Sequence, residues 1–318
     1  MRREASAGTR SVVAALIGNL LVATTKAVAA YVTGSAAMAS ETVHSFVDTA
    51  NQLLLFYGIR RSRLRPDELH PIGYGRELYF WSFIVALLLF GAGACVSVIE
   101  GIAHIRHPEP IESPAVSYVV LGLSLLFEGS SLTFAYRNFR ANIDGRGFWH
   151  AIRESRDPPQ TMVLMEDSAA IAGIGIAFLG ILLATSFGLE YFDGLASIGI
   201  GIVLAAVSVG LARQTKNLLI GEPADEKLRK TVFELAQATP GVVCPNNLIT
   251  VQVAPDQVTA LLSLEFDDAL TVPEIERIVA ELEERIREAR PDVFLVFVKP
   301  QTKEAFARAK ERFLKGPG

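Results

Sequence analysis

The feature that most constrains this chain is the grouping of its apolar residues into long runs. There are six such runs, at roughly 11–33, 37–58, 78–101, 115–136, 161–186 and 192–213. A helix needs about 20 mostly apolar residues to cross a bilayer, and each run meets that length. The run at 11–33 is too long for the apolar part of a signal peptide, so a retained helix is expected. We therefore predict a six-helix transmembrane domain over residues 1–213, with a turn at Gly34 and Ser35 joining the first two helices.

Residues 214–318 are different in composition and predict a soluble domain. They hold 14 of the chain's 30 Lys and Arg residues and 17 of its 34 Asp and Glu residues. The formal net charge of −4 gives no sign of the basic face that nucleic-acid binding needs. Cys95 and Cys244 are far apart, so neither a disulfide framework nor a paired-cysteine metal site is expected.

Arginine placement predicts the orientation in the membrane. Two loops carry five arginines each: Arg60, Arg61, Arg63, Arg65 and Arg76 after the second run, and Arg137, Arg140, Arg146, Arg153 and Arg156 after the fourth. In the loops on the opposite side, the only arginine is Arg106. Because arginine-rich loops stay on the cytoplasmic side, we expect the N-terminus inside. An even number of crossings then places the C-terminal domain inside as well.

The soluble segment predicts a small α+β domain. Hydrophobic spacing predicts helices at 225–239, 272–290 and 301–315 and strands at 248–253, 258–266 and 293–298. The order αββαβ, followed by a last polar helix, suggests two helices packed on one face of the sheet. No histidine follows His150, so a histidine-rich regulatory metal site is not expected in this domain.

Polar and charged residues interrupt the apolar runs. They are Asn19, Lys26, Glu41, His44, Asp48, Glu128, Glu166 and Asp167. One charged group at the bilayer centre costs about 2.5–3.5 kcal/mol by insertion scales. A bound dication is the simplest compensation for several buried acids. An enzyme is not expected, because no nucleophile–base pair or phosphate-binding loop is present.

The strongest ligand candidates lie in the second run. His44 and Asp48 are four residues apart, which puts both side chains on one helix face. Imidazole and carboxylate are good ligands for zinc and its neighbours. The alternative is a hydrogen bond between His44 and a serine or a carbonyl of another helix. Asn51 could lend a carbonyl oxygen, although a bond between helices is the plainer interpretation of this residue.

The fifth run supplies a second acidic pair. Glu166 and Asp167 are adjacent and point about 100° apart on a helix, so both cannot face one ion equally. Glu166 could be an alternate ligand, a proton site, a group supporting a ligand or the partner of a basic residue. Glu128 could also face the bundle interior, and Lys26 could either snorkel to the membrane surface or pair with an acid. Asp193, at the start of the sixth run, is expected to cap a helix.

Two further groups could collect metal nearer the membrane surface. Asp67, His70 and Glu77 fall close together in the loop after the second run. This loop could hold a relay site for metal, or it could be a basic loop that contacts a partner or lipid headgroups. Glu100, His104 and His107 are expected at the outer surface, where they could collect metal, although a solvated loop is the plainer interpretation.

Together these motifs resemble the cation diffusion facilitator family over nearly the whole chain. The matching stretches are GSAAMASETVHSFVDTANQ at 34–52, HPIGYGRE at 70–77 and NLLIGEPAD at 217–225. Residues 154–173, ESRDPPQTMVLMEDSAAIAG, resemble the branch that includes a mitochondrial zinc transporter of animals.

The resemblance implies a homodimer that exchanges a divalent metal ion, zinc above all, for protons. It also implies a ferredoxin-like cytosolic domain and a transport site of two residues from each of the second and fifth helices. His44, Asp48 and Asp167 match three of those positions, and the fourth falls on Val163, which cannot bind metal. Glu166, Asn51, Glu128 or water could complete the shell. In the inner loop, His70 is present, but Tyr74 stands where some members have a second histidine.

The leading hypothesis is therefore a proton-coupled exporter of zinc as its substrate, with manganese, iron or cobalt as alternatives. A histidine titrates near neutral pH, so proton and metal could compete at His44. The competing hypothesis is a membrane scaffold that senses metal without transporting it, and Val163 is its best support. The lack of a transit-like leader favours a bacterial inner membrane over an organellar one.

Overall fold

The computed structural model describes residues 2–141 and 147–315, without the side chains of residues 2–15, 17, 149, 153 and 313–315. The chain divides into two compact units, Met1–Lys216 and Asn217–Gly318. The first unit is helical, and the second combines helices with a small sheet. The division lies close to the predicted domain boundary at residue 213.

The helices of the first unit follow the predicted runs. They are α1 (Arg2–Thr33), α2 (Ala36–Ser62), α3 (Glu77–Leu88), α4 (Val96–Arg106), α5 (Pro114–Ala141), α6 (Phe148–Glu154), α7 (Pro158–Phe187) and α8 (Tyr191–Ile220). A π-helical segment, Leu89–Cys95, joins α3 to α4, so Glu77–Arg106 is one continuous helical stretch. Neither the π-helical segment nor the short α6 was predicted.

Within the described residues, four stretches are long and apolar enough to cross a membrane. They are Glu77–Arg106, Pro114–Ala141, Pro158–Phe187 and Tyr191–Ile220. The two helices α1 and α2 are not among them. In α2 the reason is the polar content of the run, which includes Glu41, His44, Asp48 and two terminal arginines. Crossing by the first two predicted spans therefore stays a prediction.

The start of α2 is fixed by two capping interactions. Gly34 has a positive φ of 65°, a conformation that glycine adopts without steric cost. Ser35 is the N-cap of α2, and its side chain accepts a hydrogen bond from the Met38 amide. The carboxylate of Asp193, in the first turn of α8, accepts hydrogen bonds from Ser35 Oγ at 2.7 Å and from the Ala36 amide at 2.5 Å. Asp193 therefore caps α2, a different helix from the one that its sequence position suggested.

The second unit has the predicted αββαβ order and ends with the predicted last helix. Its elements are α9 (Glu226–Gln237), β1 (Val242–Ala254), β2 (Gln257–Phe266), α10 (Val272–Ala289), β3 (Val293–Pro300) and α11 (Lys303–Lys315). The strand order is β1-β2-β3, with β1 antiparallel and β3 parallel to β2. Leu228 and Val232 of α9 share a core with Leu282 and Ile286 of α10 and with the sheet.

The first strand is longer than predicted. It begins at Val242 rather than at 248, and it passes through Pro245 with register shifts on either side. Proline lacks an amide hydrogen and is confined to edge strands and irregular positions. Because β1 is an edge strand of this sheet, it tolerates a residue that sequence patterns treat as a strand breaker.

Candidate metal site

A cavity of about 140 Å³ lies among α1, α2, α5 and α7. Its acidic lining consists of Asp48 from α2, Glu128 from α5, and Glu166 and Asp167 from α7. Acids that are distant in sequence thus meet at one place, which is the arrangement that the interrupted apolar runs predicted. Four carboxyl groups around one small cavity repel one another and favour a cation between them.

His44 and Asp48 share a face of α2 as predicted. Their closest atoms, Nδ1 and Oδ1, are 3.5 Å apart, and His44 is 1% exposed. Among the described residues, neither ring nitrogen of His44 has a hydrogen-bond partner, and the same is true of Asp48 Oδ1. The alternative was a hydrogen bond from His44 to a serine or carbonyl of another helix, and the described residues form no such bond. Buried polar atoms without partners are costly, and a metal ion would satisfy them.

The two acids of α7 both line the cavity but have different partners. Glu166 is buried, and its Oε1 accepts a hydrogen bond of 2.8 Å from Asn51 Nδ2. Asp167 is half-buried, and its Oδ2 accepts a hydrogen bond of 2.7 Å from Ser131 Oγ. Asn51 therefore uses its amide nitrogen as a bond between helices, while its carbonyl oxygen has no partner among the described residues.

Residue 163, where the family resemblance implies a metal ligand and this chain has valine, also lines the cavity. Val163 belongs to the lining, four residues before Asp167 on α7. A metal-binding side chain at residue 163 would therefore reach the same space. His44 and Asn51 are not among the described residues that line the cavity. His44 instead lies one helical turn away and contacts the lining through Asp48.

Several lining residues were not predicted as part of the site. They are Ser45, Gln52, Ser130, Ser131 and Val22. Serine and glutamine within apolar runs are common at contacts between helices, so only their spacing relative to Asp48 could have indicated them. Asn19, which stood out in the sequence only as a polar residue inside a span, is in the lining, and so is Glu128, which was expected to face the bundle interior.

The described residues do not form a preassembled metal shell. No three histidine, cysteine, aspartate or glutamate side chains in that part of the chain are grouped closely enough to hold an ion. The acids instead surround a cavity of about five water volumes, at about 30 Å³ each. Binding would draw side chains from α2 and α7 together around the ion.

Lys26 forms a buried ion pair beside this cavity. Its Nζ is 2.9 Å from Glu41 Oε2 and donates a second hydrogen bond of 2.9 Å to Ser45 Oγ. Both charged side chains are 0% exposed. Of the two alternatives for Lys26, the structure has the pairing with an acid, and Glu41 is the partner.

A second buried cluster lies at the start of α2. His104 is 8% exposed, and its Nε2 is 3.7 Å from Asp193 Oδ2. The expectation of a solvated His104 is therefore wrong, because this side chain is covered where α4 meets the capping carboxylate of α8. The cluster explains how the ends of three helices are held together.

The loop between α2 and α3 is organised around Asp67. Tyr74 Oη donates a hydrogen bond of 2.6 Å to Asp67 Oδ2, and His70 Nδ1 is 3.2 Å from Oδ1. The hydrogen bond from Tyr74, followed by the bond from the His70 amide, holds the pKa of Asp67 below its usual value of 3.8. Glu77 is occupied separately, by Arg61 at 3.0 Å. Asp67, His70 and Tyr74 are therefore engaged with one another.

Comparison with known proteins identifies the family of this chain. Residues 12–220 match the family described as the cation efflux transmembrane domain, a range that includes both α2 and α7. The chain is 35% identical to the mitochondrial proton-coupled zinc antiporter SLC30A9 of Homo sapiens over 237 residues, which are 74% of this chain and 42% of that protein. It is 34% identical to metal tolerance protein C4 of Arabidopsis thaliana over 69% of this chain and 48% of that protein.

A bacterial relative matches over a longer share of both chains. The cation-efflux pump FieF of Cronobacter sakazakii is 25% identical over 280 residues, which are 87% of this chain and 87% of that protein. By contrast, the alignments with the human and plant relatives span less than half of those proteins.

Proposed function

The chain belongs to the cation efflux family, the cation diffusion facilitator family that its motifs resemble, and we propose that it is a proton-coupled exporter of a divalent metal ion, zinc. It is an integral membrane protein, since four of its helical stretches can cross a bilayer and its family is a transmembrane one. The observation that carries the proposal is the cavity. It is lined by carboxylates from three helices.

We propose His44, Asp48 and Asp167 as metal ligands, with Glu166 as the nearest further carboxylate. The unpartnered nitrogens of His44 and the unpartnered Asp48 Oδ1 support this assignment. Imidazole together with carboxylates suits zinc, whereas a purely oxygen-donating site favours manganese or magnesium. The loss of Asn51 should be mild, because this residue holds Glu166 rather than lining the cavity.

Several finer features belong to the same proposal. Six crossings with both termini inside agree with the arginine-rich loops. Exchange for protons is proposed by analogy with the relative SLC30A9, a proton-coupled zinc antiporter. A homodimer rests on the family resemblance. A bacterial inner membrane is supported by the match to FieF over 87% of both chains, with an organellar membrane as the alternative.

A second candidate function is a membrane scaffold that senses metal without moving it. Val163 favours it, because an apolar side chain occupies a lining position four residues from Asp167. Three protein ligands with water in the fourth place would still bind zinc. The two functions therefore differ in transport rather than in binding.

Zinc flux into proteoliposomes tests the proposal. The purified protein is reconstituted around a zinc-sensitive dye with a proton gradient imposed, and zinc, manganese, iron and cobalt are compared. We expect saturable zinc uptake that Asp48→Asn abolishes. Glu112→Gln, which removes an exposed carboxylate of the loop before α5, is the matched control and should leave uptake unchanged. Zinc binding without zinc flux in the wild-type protein would support the scaffold instead.

A further inference from the structure

The buried pair of Lys26 and Glu41 has a definite direction relative to the cavity. The ammonium of Lys26 contacts Ser45, at 2.9 Å between Nζ and Oγ, and Ser45 is a lining residue. Glu41 is not among the described residues of the lining. The positive end of the pair therefore lies one side chain away from the cavity.

The negative end of the pair points elsewhere. Glu41 Oε1 lies against the backbone of α7 at Gly173, where an added Cβ would collide with it. Gly173 is six residues beyond Asp167, which is about 9 Å along a helix. Glu41 is also seven residues before Asp48 on α2, about 10 Å by the same rise. The backbone positions of Glu41 and Gly173 thus lie about two helical turns from those of the acids on their own helices.

We propose that Lys26 is an affinity-determining residue of the metal site, weakening zinc binding through the positive end of its ion pair with Glu41. This inference rests on the proposed function and deepens it. The pair has no net charge, but its ammonium is nearer to the cavity than its carboxylate. A dication in the cavity is therefore repelled by the ammonium more than it is attracted by Glu41.

A weakened site suits a protein that must release its substrate. Four carboxyl groups around one small cavity, with the His44 imidazole next to Asp48, attract a dication, and a fixed positive charge beside them opposes this. Neither side chain is reached by water, since both are 0% exposed, so solvent screens the repulsion little. The hydrogen bond from Lys26 to Ser45 keeps the ammonium on the cavity side of the Glu41 carboxylate.

The test is zinc affinity in a variant that removes both charges at once. Lys26→Met combined with Glu41→Gln keeps the net charge and the approximate volumes, and replacing a complete buried ion pair is often tolerated. We expect zinc to bind about tenfold more tightly, because the ammonium no longer repels the dication and its partly cancelling carboxylate is removed with it. Affinity is measured by competition with a zinc-sensitive dye on the full-length protein in detergent, after gel filtration shows a single species.

Three further variants make the outcome decisive. Lys26→Arg keeps the charge and should bind zinc as the wild type does. Arg290→Met with Asp292→Asn removes an ion pair of 2.7 Å from the C-terminal unit and should change nothing. Lys26→Gln with Glu41→Gln keeps a hydrogen-bonding pair and replaces the methionine variant if that one is not a single species.

The results separate this inference from the proposed function. Unchanged or weaker zinc binding in the Lys26→Met, Glu41→Gln variant overturns the role of Lys26. Weaker binding is what the loss of a purely structural ion pair would produce, and unchanged binding would mean that the ammonium does not repel the metal ion. The proposed function survives that result, since it needs only saturable zinc binding and flux in the wild type. Absence of zinc binding in the wild type overturns both.

Discussion

Replacing Val163 by histidine should create a fourth protein ligand in the cavity. Residue 163 lines the cavity and lies four positions before Asp167, so Val163→His would repeat on α7 the spacing that His44 and Asp48 have on α2. The cavity of about 140 Å³ corresponds to roughly five water volumes of 30 Å³. An imidazole ring and a metal ion can therefore share it without repacking of the helices.

The magnitude follows from exchanging a water ligand for an imidazole. We expect zinc to bind at least about tenfold more tightly, which is about 1.4 kcal/mol. Without zinc the variant should be less stable by about 1–3 kcal/mol, because a polar ring replaces an apolar side chain at a half-buried position. At a fixed zinc concentration well above Kd, the tenfold tighter binding adds about 1.4 kcal/mol of stabilisation.

Two measurements on the purified protein check this prediction. Calorimetric titration gives the zinc affinity, and thermal unfolding with and without zinc gives the gain in stability. Val243→His, at a position of the C-terminal unit that is 64% exposed, controls for zinc binding to an added surface histidine. If Val163→His leaves both the zinc affinity and the metal preference unchanged, residue 163 does not contribute to the site and the assignment of α7 is wrong.

Other predictions concern the acids of the site and two capping groups. Asp48→Asn and Asp167→Asn should each abolish zinc flux in proteoliposomes while Glu166→Gln reduces it partly; equal losses for both α7 acids would make Glu166 a ligand. Asp193→Ala should lower the stability in thermal unfolding by about 1–3 kcal/mol, because buried donors at the start of α2 lose their acceptor; an unchanged melting temperature would exclude this cap. Hydrogen bonds from the N-cap threonine of α10 hold the pKa of Glu274 below its usual value of 4.5. Its stabilisation is thus present above pH 4.5 and lost as pH falls through the lower folded pKa. Amide exchange in the first turn of α10 should therefore converge with that of Glu274→Gln in acid, and a constant difference at all pH values would refute the linkage.

The sequence predicts the local features of this protein well. Runs of apolar residues located the helices, and the spacing of His44 and Asp48 located one face of α2, because both follow from helical periodicity alone. The αββαβ order of the C-terminal unit followed from the same kind of pattern. Tertiary partners were harder to predict, since no sequence spacing reports which helices are neighbours.

Three contacts illustrate that limit. Asp193 caps α2 across a separation of 157 residues from Ala36, Ser131 holds Asp167 from another helix, and Lys26 lies between Glu41 and Ser45. Each is a contact that a side chain makes with another of the packed helices. The π-helical segment Leu89–Cys95 was missed for a related reason, because its seven apolar or small residues suit an ordinary helix equally well.

The most direct test of the central claim is calorimetric titration of the purified full-length protein with zinc, repeated on Asp48→Ala. The claim is that the acids around the cavity bind a divalent metal ion as substrate. We expect saturable zinc binding in the wild type that is lost, or weakened at least about a hundredfold (about 2.7 kcal/mol), in Asp48→Ala, while gel filtration shows that the variant remains folded. Zinc binding of equal affinity in the two proteins would contradict the claim, because the metal would then bind outside the cavity.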